Sequence, residues 1–149
     1  MDLTPPPMDW LMTLEVDVGA RRPLGAWQAG QRFIVDILGG SGQGQGFCVR
    51  VLPGGADRQW LRPDGVKVLQ ATYELALEDG TLLSVHNEAL LADGRQPARQ
   101  APCRAHIIAP TGPWDWLNRR LVVGDVTSLR PQTDAVRVRF FMLGMVSTG

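Results

Sequence analysis

The sequence predicts an all-β protein: a single antiparallel β-barrel of roughly eight to ten strands with one short helix, covering residues 1–149 as one domain. Three observations predict it. Apolar residues recur mostly with a period of two. Turn signals break the chain at short intervals: Gly39–Gly40, Pro53–Gly55, Pro63–Gly65, Asp79–Gly80 and Pro131–Asp134. And 149 residues suit one core, so strands this numerous must stack as a sandwich or close on themselves.

The elements follow in order. "LMTLEVDV" (Leu11–Val18) alternates, "RFIVDIL" (Arg32–Leu38) is β-branched and aromatic, and "GFCVRVL" (Gly46–Leu52) resembles it. Ala56–Leu61 and "VKVLQATYELAL" (Val66–Leu77) form a hairpin about Arg62-Pro63-Asp64-Gly65, which fits a type I turn ending on a left-handed glycine. Asp79–Gly80 turns the chain again into "TLLSVHNEALL" (Thr81–Leu91). "ADGRQPARQAP" (Ala92–Pro102) reads as the longest loop, and "TPPP" (Thr4–Pro7) as an extended leader. Three strands remain: Cys103–Ala109, Arg119–Thr127 and Ala135–Val146. The last alternates most clearly, with Val136, Val138, Phe140 and Met142 on one face and Arg137 and Arg139 on the other. The short helix is "PWDWLNRR" (Pro113–Arg120), with proline favourable in its first turn and two tryptophans suited to plug a barrel end.

Several function classes fall away. Formal net charge is zero, so no global field draws the chain to nucleic acid or to anionic lipid. No apolar run is long enough to span a bilayer as a helix, and the N-terminus has no basic start or apolar signal core, so the expected location is cytoplasmic. Cys48 and Cys103 make no paired motif and read as two buried small hydrophobes. With only His86 and His106 besides, no metal site and no cofactor is expected. "GGSGQGQG" (Gly39–Gly46) lacks the lysine of a phosphate loop and is followed by a strand, not a helix; it reads as a flexible strand connection.

The two glycine turns set a trial register. It places Arg58 opposite Gln70, Asp57 opposite Ala71, Tyr73 opposite His86 and Thr72 opposite Asn87. One face of this meander then holds Arg58, Trp60, Gln70, Thr72 and Asn87; the other holds Asp57, Gln59, Tyr73 and His86. Both faces mix apolar and polar groups, as the wall of a ligand-holding barrel does. Asp57, Tyr73 and His86 are the candidate catalytic set: a carboxylate orients an imidazole, and a phenol donates to a developing oxyanion. Asp36, inside "FIVDIL", is the reserve base, since a carboxylate in an apolar run can have a raised pKa. Arg58, Gln70, Thr72 and Asn87 are candidate ligand donors, with Trp60 as an apolar wall. The plainer readings are an outer tyrosine–histidine pair, a solvated polar patch, and an Asp36 on the wet side of its strand.

"VLPGGADRQWLRPDG", "LQATYELALEDGTLLSVHNEALL" and "WLNRRLVVG" together resemble the domain-of-unknown-function family 3237, also called UPF0311, over roughly Leu11 to Met142. The resemblance implies a small closed barrel of the allene-oxide-cyclase-like or calycin-like kind, and an oligomer. It brings no settled activity. This chain departs from the family pattern at Arg58, where tryptophan is usual, at Gln70 and Thr72, where an acid and an arginine are usual, and at Ala89, where glycine is usual. If those positions line the pocket, the ligand or the chemistry differs here.

The expected function is that of a cofactor-independent enzyme of isomerase, cyclase or hydratase/lyase type, acting on a small hydrophobic carbonyl-bearing molecule inside the barrel. The alternative is a non-catalytic barrel that binds such a molecule. The expected partners are that small ligand and further copies of the chain, with no nucleic acid and no membrane.

Overall fold

The computed structural model describes residues 1–92 and 100–144. Its strands are β1 (Met8–Val18), β2 (Arg22–Trp27), β3 (Gly30–Gly44), β4 (Phe47–Val51), β5 (Ala56–Leu61), β6 (Lys67–Leu77), β7 (Leu82–Leu91), β8 (Gln100–Ile108), β9 (Leu121–Ser128) and β10 (Ala135–Leu143). All pairings are antiparallel, in the order β1-β10-β9-β8-β7-β6-β4-β3, and β1 pairs back onto β3 to close the ring. β4 and β5 share one place between β3 and β6, so the ring is an eight-stranded barrel. β2 extends past it as a hairpin with the start of β3. Closure leaves the ring without an open edge.

β3 is longer than expected. "GGSGQGQG" reads as a connection, yet its first six residues are strand, paired to β1 on one side and to β4 on the other. The glycines serve close approach. A methyl on Gly42 would lie 2.6 Å from the Thr13 carbonyl oxygen and closer still to Leu14 Cδ2, and one on Gly44 would enter the Phe47 ring. β2 was not visible in the sequence, because "RPLGAW" carries a proline and a glycine and buries no residue. Of the long loop expected at Ala92–Pro102, residues 93–99 lie outside the described residues, and 100–102 begin β8. Met145–Val146, expected to end the last strand, also lie outside them. Cys48, expected inside, is exposed on the outer face of β4, while Cys103 is buried.

The two halves of the barrel differ. At the end where β6 turns into β7, Met12, Leu14, Leu75, Leu83 and Phe140 are fully buried. A 3₁₀ turn, Asp115–Arg119, closes this end in place of the expected helix Pro113–Arg120. Leu117 joins the core, Trp114 meets the Phe47 ring edge-on at 5.1 Å, and Trp114 Nε1 donates to Asp79 in the β6–β7 turn. The Asn118 amide fixes the turn to the end of β8, accepting from Ala109 N and donating to Ala109 O, both at 2.9 Å. The other half is hollow.

Gly42→Ala is expected to cost about 1–3 kcal/mol, because β1 has no room to retreat without opening the ring. Chemical unfolding followed by tryptophan fluorescence measures it; an unchanged midpoint would show that β1 does not press on Gly42.

Candidate functional site

The register of β5, β6 and β7 decides which side chains enter the hollow half. Both turns have the same form. Gly65 N donates to Arg62 O and Arg62 N to Val66 O; Gly80 N donates to Leu77 O and Leu77 N to Thr81 O. Each is therefore a three-residue loop, ending on glycine at φ +88°. The side chains of Asp64 and Asp79 each accept from the amide two residues on, at 3.1 and 2.9 Å. The expected pairs Arg58–Gln70 and Asp57–Ala71 hold. The expected pairs Tyr73–His86 and Thr72–Asn87 do not: Tyr73 faces Val85 and Thr72 faces His86. Asp79–Gly80 resembles a two-residue loop, but Glu78 belongs to the loop as well, and the register moves by one.

That single step exchanges the two faces of β7. Asn87 enters the barrel beside Ala71, on the row that begins with Asp57. His86 is on the outside, exposed, across from His106 with ring centroids 6.5 Å apart. The connected set Asp57–Tyr73–His86 is thus corrected: Asp57 and Tyr73 share the interior, and His86 has no access to them. Asp36 also points outward and forms a surface pair with Arg22 at 2.9 Å, so it is no interior base. Arg58, Gln70 and Thr72 line a shallow outer depression with Glu74 and Gly54–Gly55. Trp60 is outside too, packing on Trp27 at 6.0 Å and donating Nε1 to Ala29 O at 2.7 Å. Of the expected ligand contacts, Asn87 alone lines the interior cavity. The departures at Arg58, Gln70 and Thr72 therefore alter the outer wall; Ala89 alone of the four faces the cavity.

The cavity holds about 570 Å³. Its wall is largely apolar, with Val16, Val35, Ile37, Leu69, Val126 and Val138 among the lining side chains. Into it project Asp57, Gln59, Tyr73 and Asn87, with Lys67, Arg21 and Arg130 also on the lining. Gln59 Nε2 donates to Asp57 Oδ2 at 2.8 Å. Asp57 Oδ1, Gln59 Oε1, Tyr73 OH and Asn87 Oδ1 are buried and make no well-formed hydrogen bond among the described residues, although the Gln70 backbone lies close enough to Asp57 to favour its charged form. Native interiors rarely leave such groups unmet, and here four meet in one space. Gln59 and Lys67 were legible from the β5–β6 turn, since both lie on the Asp57 face. Arg21 and Arg130 carry no periodic signal; they arrive from the β1–β2 and β9–β10 connections.

The electrostatics follow from burial. Asp57 has its carboxyl pKa raised by desolvation, with the Gln59 hydrogen bond, the Lys67 charge and the Gln70 backbone opposing. The Tyr73 phenol is pushed far up by burial, and the Cys103 and Asp57 charges push it the same way; it stays protonated. Burial pushes the Cys103 thiol up to about 11, against a hydrogen bond from the Asn87 amide, so it is no ready nucleophile. The arrangement supplies one carboxyl able to move a proton, one phenol able to donate, and two amide oxygens able to accept. Among the described residues no cluster of three or more His, Cys, Asp or Glu could hold a metal ion, and no helix is long and apolar enough to cross a membrane.

Fold and site together define a class: small closed antiparallel barrels with a polar-studded interior cavity. Within that class the chain belongs to the family described as "Protein of unknown function (DUF3237)", whose model matches residues 6–143. A UPF0311 protein of Rhodopseudomonas palustris is 35% identical over 81 residues, 54% of this chain and 53% of that protein. The chain thus spans about half the length of that curated relative. A crystal structure of a conserved protein of unknown function from Rhodopseudomonas palustris superposes with TM-score 0.83 at 25% identity, covering 94% of this chain and 99% of that one. A crystal structure of an enzyme from Penicillium herquei superposes with TM-score 0.73 at 19% identity, covering 96% and 98%, which shows a shared fold.

Two stability measurements check the site. Tyr73→Phe removes a buried hydroxyl that has no partner among the described residues, so the ligand-free protein should be no less stable and up to about 1 kcal/mol more stable; a clear drop would reveal a hydrogen bond to that oxygen. For Asp57 the sign is set by a folded pKa above the ordinary 3.8. The stability it contributes is fully present below 3.8 and is lost as pH rises through the folded value. Asp57→Asn should therefore be more stable than the native chain at neutral pH, with the gap closing in acid, as read from denaturant midpoints against pH.

Proposed function

We propose that the barrel is a cofactor-independent enzyme of the isomerase, cyclase or hydratase/lyase kind, acting on a small hydrophobic carbonyl-bearing molecule. The observation that carries this reading is that Asp57 and Tyr73 both line one apolar cavity, each with a buried oxygen that makes no well-formed hydrogen bond among the described residues. The shared step is enolisation. The Asp57 carboxylate takes the proton from the carbon beside the carbonyl. The C–H electron pair becomes the new C=C bond, and the carbonyl π pair moves onto oxygen. The Tyr73 phenol donates its hydrogen bond to that developing oxyanion. Returning the proton to another carbon isomerises the molecule; attack by the enolate carbon closes a ring; loss of a β-substituent completes a lyase reaction. The raised pKa of Asp57 suits it to both halves of the transfer, and apolar walls hold the substrate in few poses. A barrel of the same fold is an enzyme in Penicillium herquei, which supports chemistry in such a cavity.

The second reading is a binding protein for a similar molecule. It is favoured by the absence of His86 from the cavity, which leaves Asp57 as the acidic side chain on the lining with no imidazole to share its proton.

The test is deuterium exchange. Small cyclic and aryl ketones are incubated with the protein in heavy water, and loss of the proton signal beside the carbonyl is followed by NMR. The native chain should exchange a bound ketone faster than buffer does. Asp57→Asn should lower that rate by about a hundredfold and Tyr73→Phe by ten- to a hundredfold, with affinity nearly unchanged. Saturable binding with exchange no faster than buffer would sink the enzyme reading and leave the binding protein.

A further inference from the structure

We propose that the cavity takes an organic anion, with its carboxylate or comparable acidic group at the open end of the barrel among Lys67, Arg21 and Arg130, and its apolar body along the wall. The inference rests on the cavity being the ligand site and adds the ligand's charge and orientation.

The chain as a whole is balanced, with 15 basic and 15 acidic residues. The cavity is not. Among the described residues its lining gathers three basic side chains, Arg21, Lys67 and Arg130, against one acidic side chain, Asp57, with Asp134 pairing Arg130 from beyond the lining. Asp57 is itself biased toward its neutral form by burial. A concave apolar site lined by one sign of charge concentrates ligands of the other sign.

The three cations are placed, not trailing. Lys67 opens β6 on the inward row of Leu69, Ala71 and Tyr73, paired to Leu91 at the start of the barrel. The Arg21 guanidinium lies over the Phe33 ring, 4.1 Å from its centre. Arg130 Nη2 donates to Gly19 O at 2.6 Å, while its Nε is buried, lacks a hydrogen bond and lies 3.2 Å from the Asp134 carboxylate. Those contacts hold two guanidinium groups at the rim at little further entropic cost when an anion binds.

Deeper in there is less to hold a charged group. Gln59 Oε1 and Asn87 Oδ1 are acceptors, Asp57 is a carboxyl that is neutral or negative, and Tyr73 OH is a neutral donor, so this region suits a carbonyl, a hydroxyl or an acidic C–H better than a full negative charge. An anion can enter the cavity one way round only: acid at the rim, reacting carbon inward.

Two fluorescent probes separate charge from shape. Anilinonaphthalene sulfonate and N-phenylnaphthylamine share an apolar frame and differ by the sulfonate. In titrations of the full chain at low salt, the sulfonate should bind about tenfold more tightly, with the gap narrowing as salt rises. The double substitution Arg21→Gln with Lys67→Gln should remove the gap by weakening the sulfonate alone. Unchanged N-phenylnaphthylamine binding then shows that the variant is folded. Arg104→Gln, on the outer face, should leave the gap in place. Equal affinity of the two probes for the native chain, or a gap that survives the double substitution, overturns the inference and leaves the cavity reading standing. Binding of neither probe overturns both.

Discussion

In a pleated sheet one residue of register separates inside from outside, and this site depends on that constraint at two turns. Gly65 and Gly80 each end a three-residue loop that pins the next strand: Arg62 N to Val66 O at 2.9 Å, and Leu77 N to Thr81 O at 2.9 Å. With both loops as they are, Asp57, Tyr73 and Asn87 converge on the lumen, and Arg58, Thr72 and His86 face outward. Were the second loop one residue shorter, His86 and Glu88 would enter a lumen that already holds Asp57, and Asn87 would leave it. The chemistry of the cavity is thus set by turn geometry some distance from the groups that carry it.

Closure adds a second constraint, and it divides the barrel. β1 must lie against both β10 and β3, and it gets close to β3 because Gly42 and Gly44 present no side chain there. Large residues then fill the end beneath the 3₁₀ turn: Phe140, Met12, Leu14 and Leu83 are sealed from solvent. Burial of that kind stabilises by about 1.5–3 kcal/mol per side chain. The opposite end holds small or slender residues, Ala71, Ala89 and Ala101 among them, and leaves room over them. Orphaned oxygens at this end are a standing cost, carried by the packed half, which is the pattern expected of a functional site in a stable scaffold.

The barrel was legible in the sequence because alternation and turn chemistry act locally. The Ala135 strand shows both faces plainly, with Val138 and Phe140 buried and Arg137 and Arg139 outside. Asp57 and Tyr73 were legible as partners because the Arg62–Val66 loop could be counted without ambiguity. The face of His86 is not legible, because Asp-Gly supports a two-residue and a three-residue loop alike and nothing local distinguishes them. Asp36 interrupts an apolar run, but Val35 and Ile37 flank it on the buried face, so strict alternation puts it outside. Arg58 departs from the family pattern, yet it lies on the outer wall and does not reach the cavity. Arg21 and Arg130 come from connections, whose position in space follows from closure of the whole ring and from no pattern in their own neighbourhood.

The proposed rim charge and the proposed base are coupled through Lys67. In the empty cavity the Lys67 charge draws the Asp57 carboxyl down, against the larger effect of burial. An acidic group seated at the rim would pair with Lys67 and screen it from Asp57, and the ligand's body would displace water from around the carboxyl. Both effects favour the protonated form. Binding of an anion is then linked to uptake of a proton at Asp57, and an anionic ligand binds more tightly as pH falls toward the carboxyl's range. The same linkage bears on the chemistry. A base that grows stronger when its substrate binds is driven harder to take a proton from carbon, but a smaller fraction of it is ionised at a given pH. Gln59, donating to Asp57 Oδ2 at 2.8 Å, favours the charged form of the carboxyl and leaves Oδ1 facing the cavity. In the proposed reaction, the balance between Gln59 and Lys67 on one side and burial on the other would keep Asp57 able both to accept the proton and to release it.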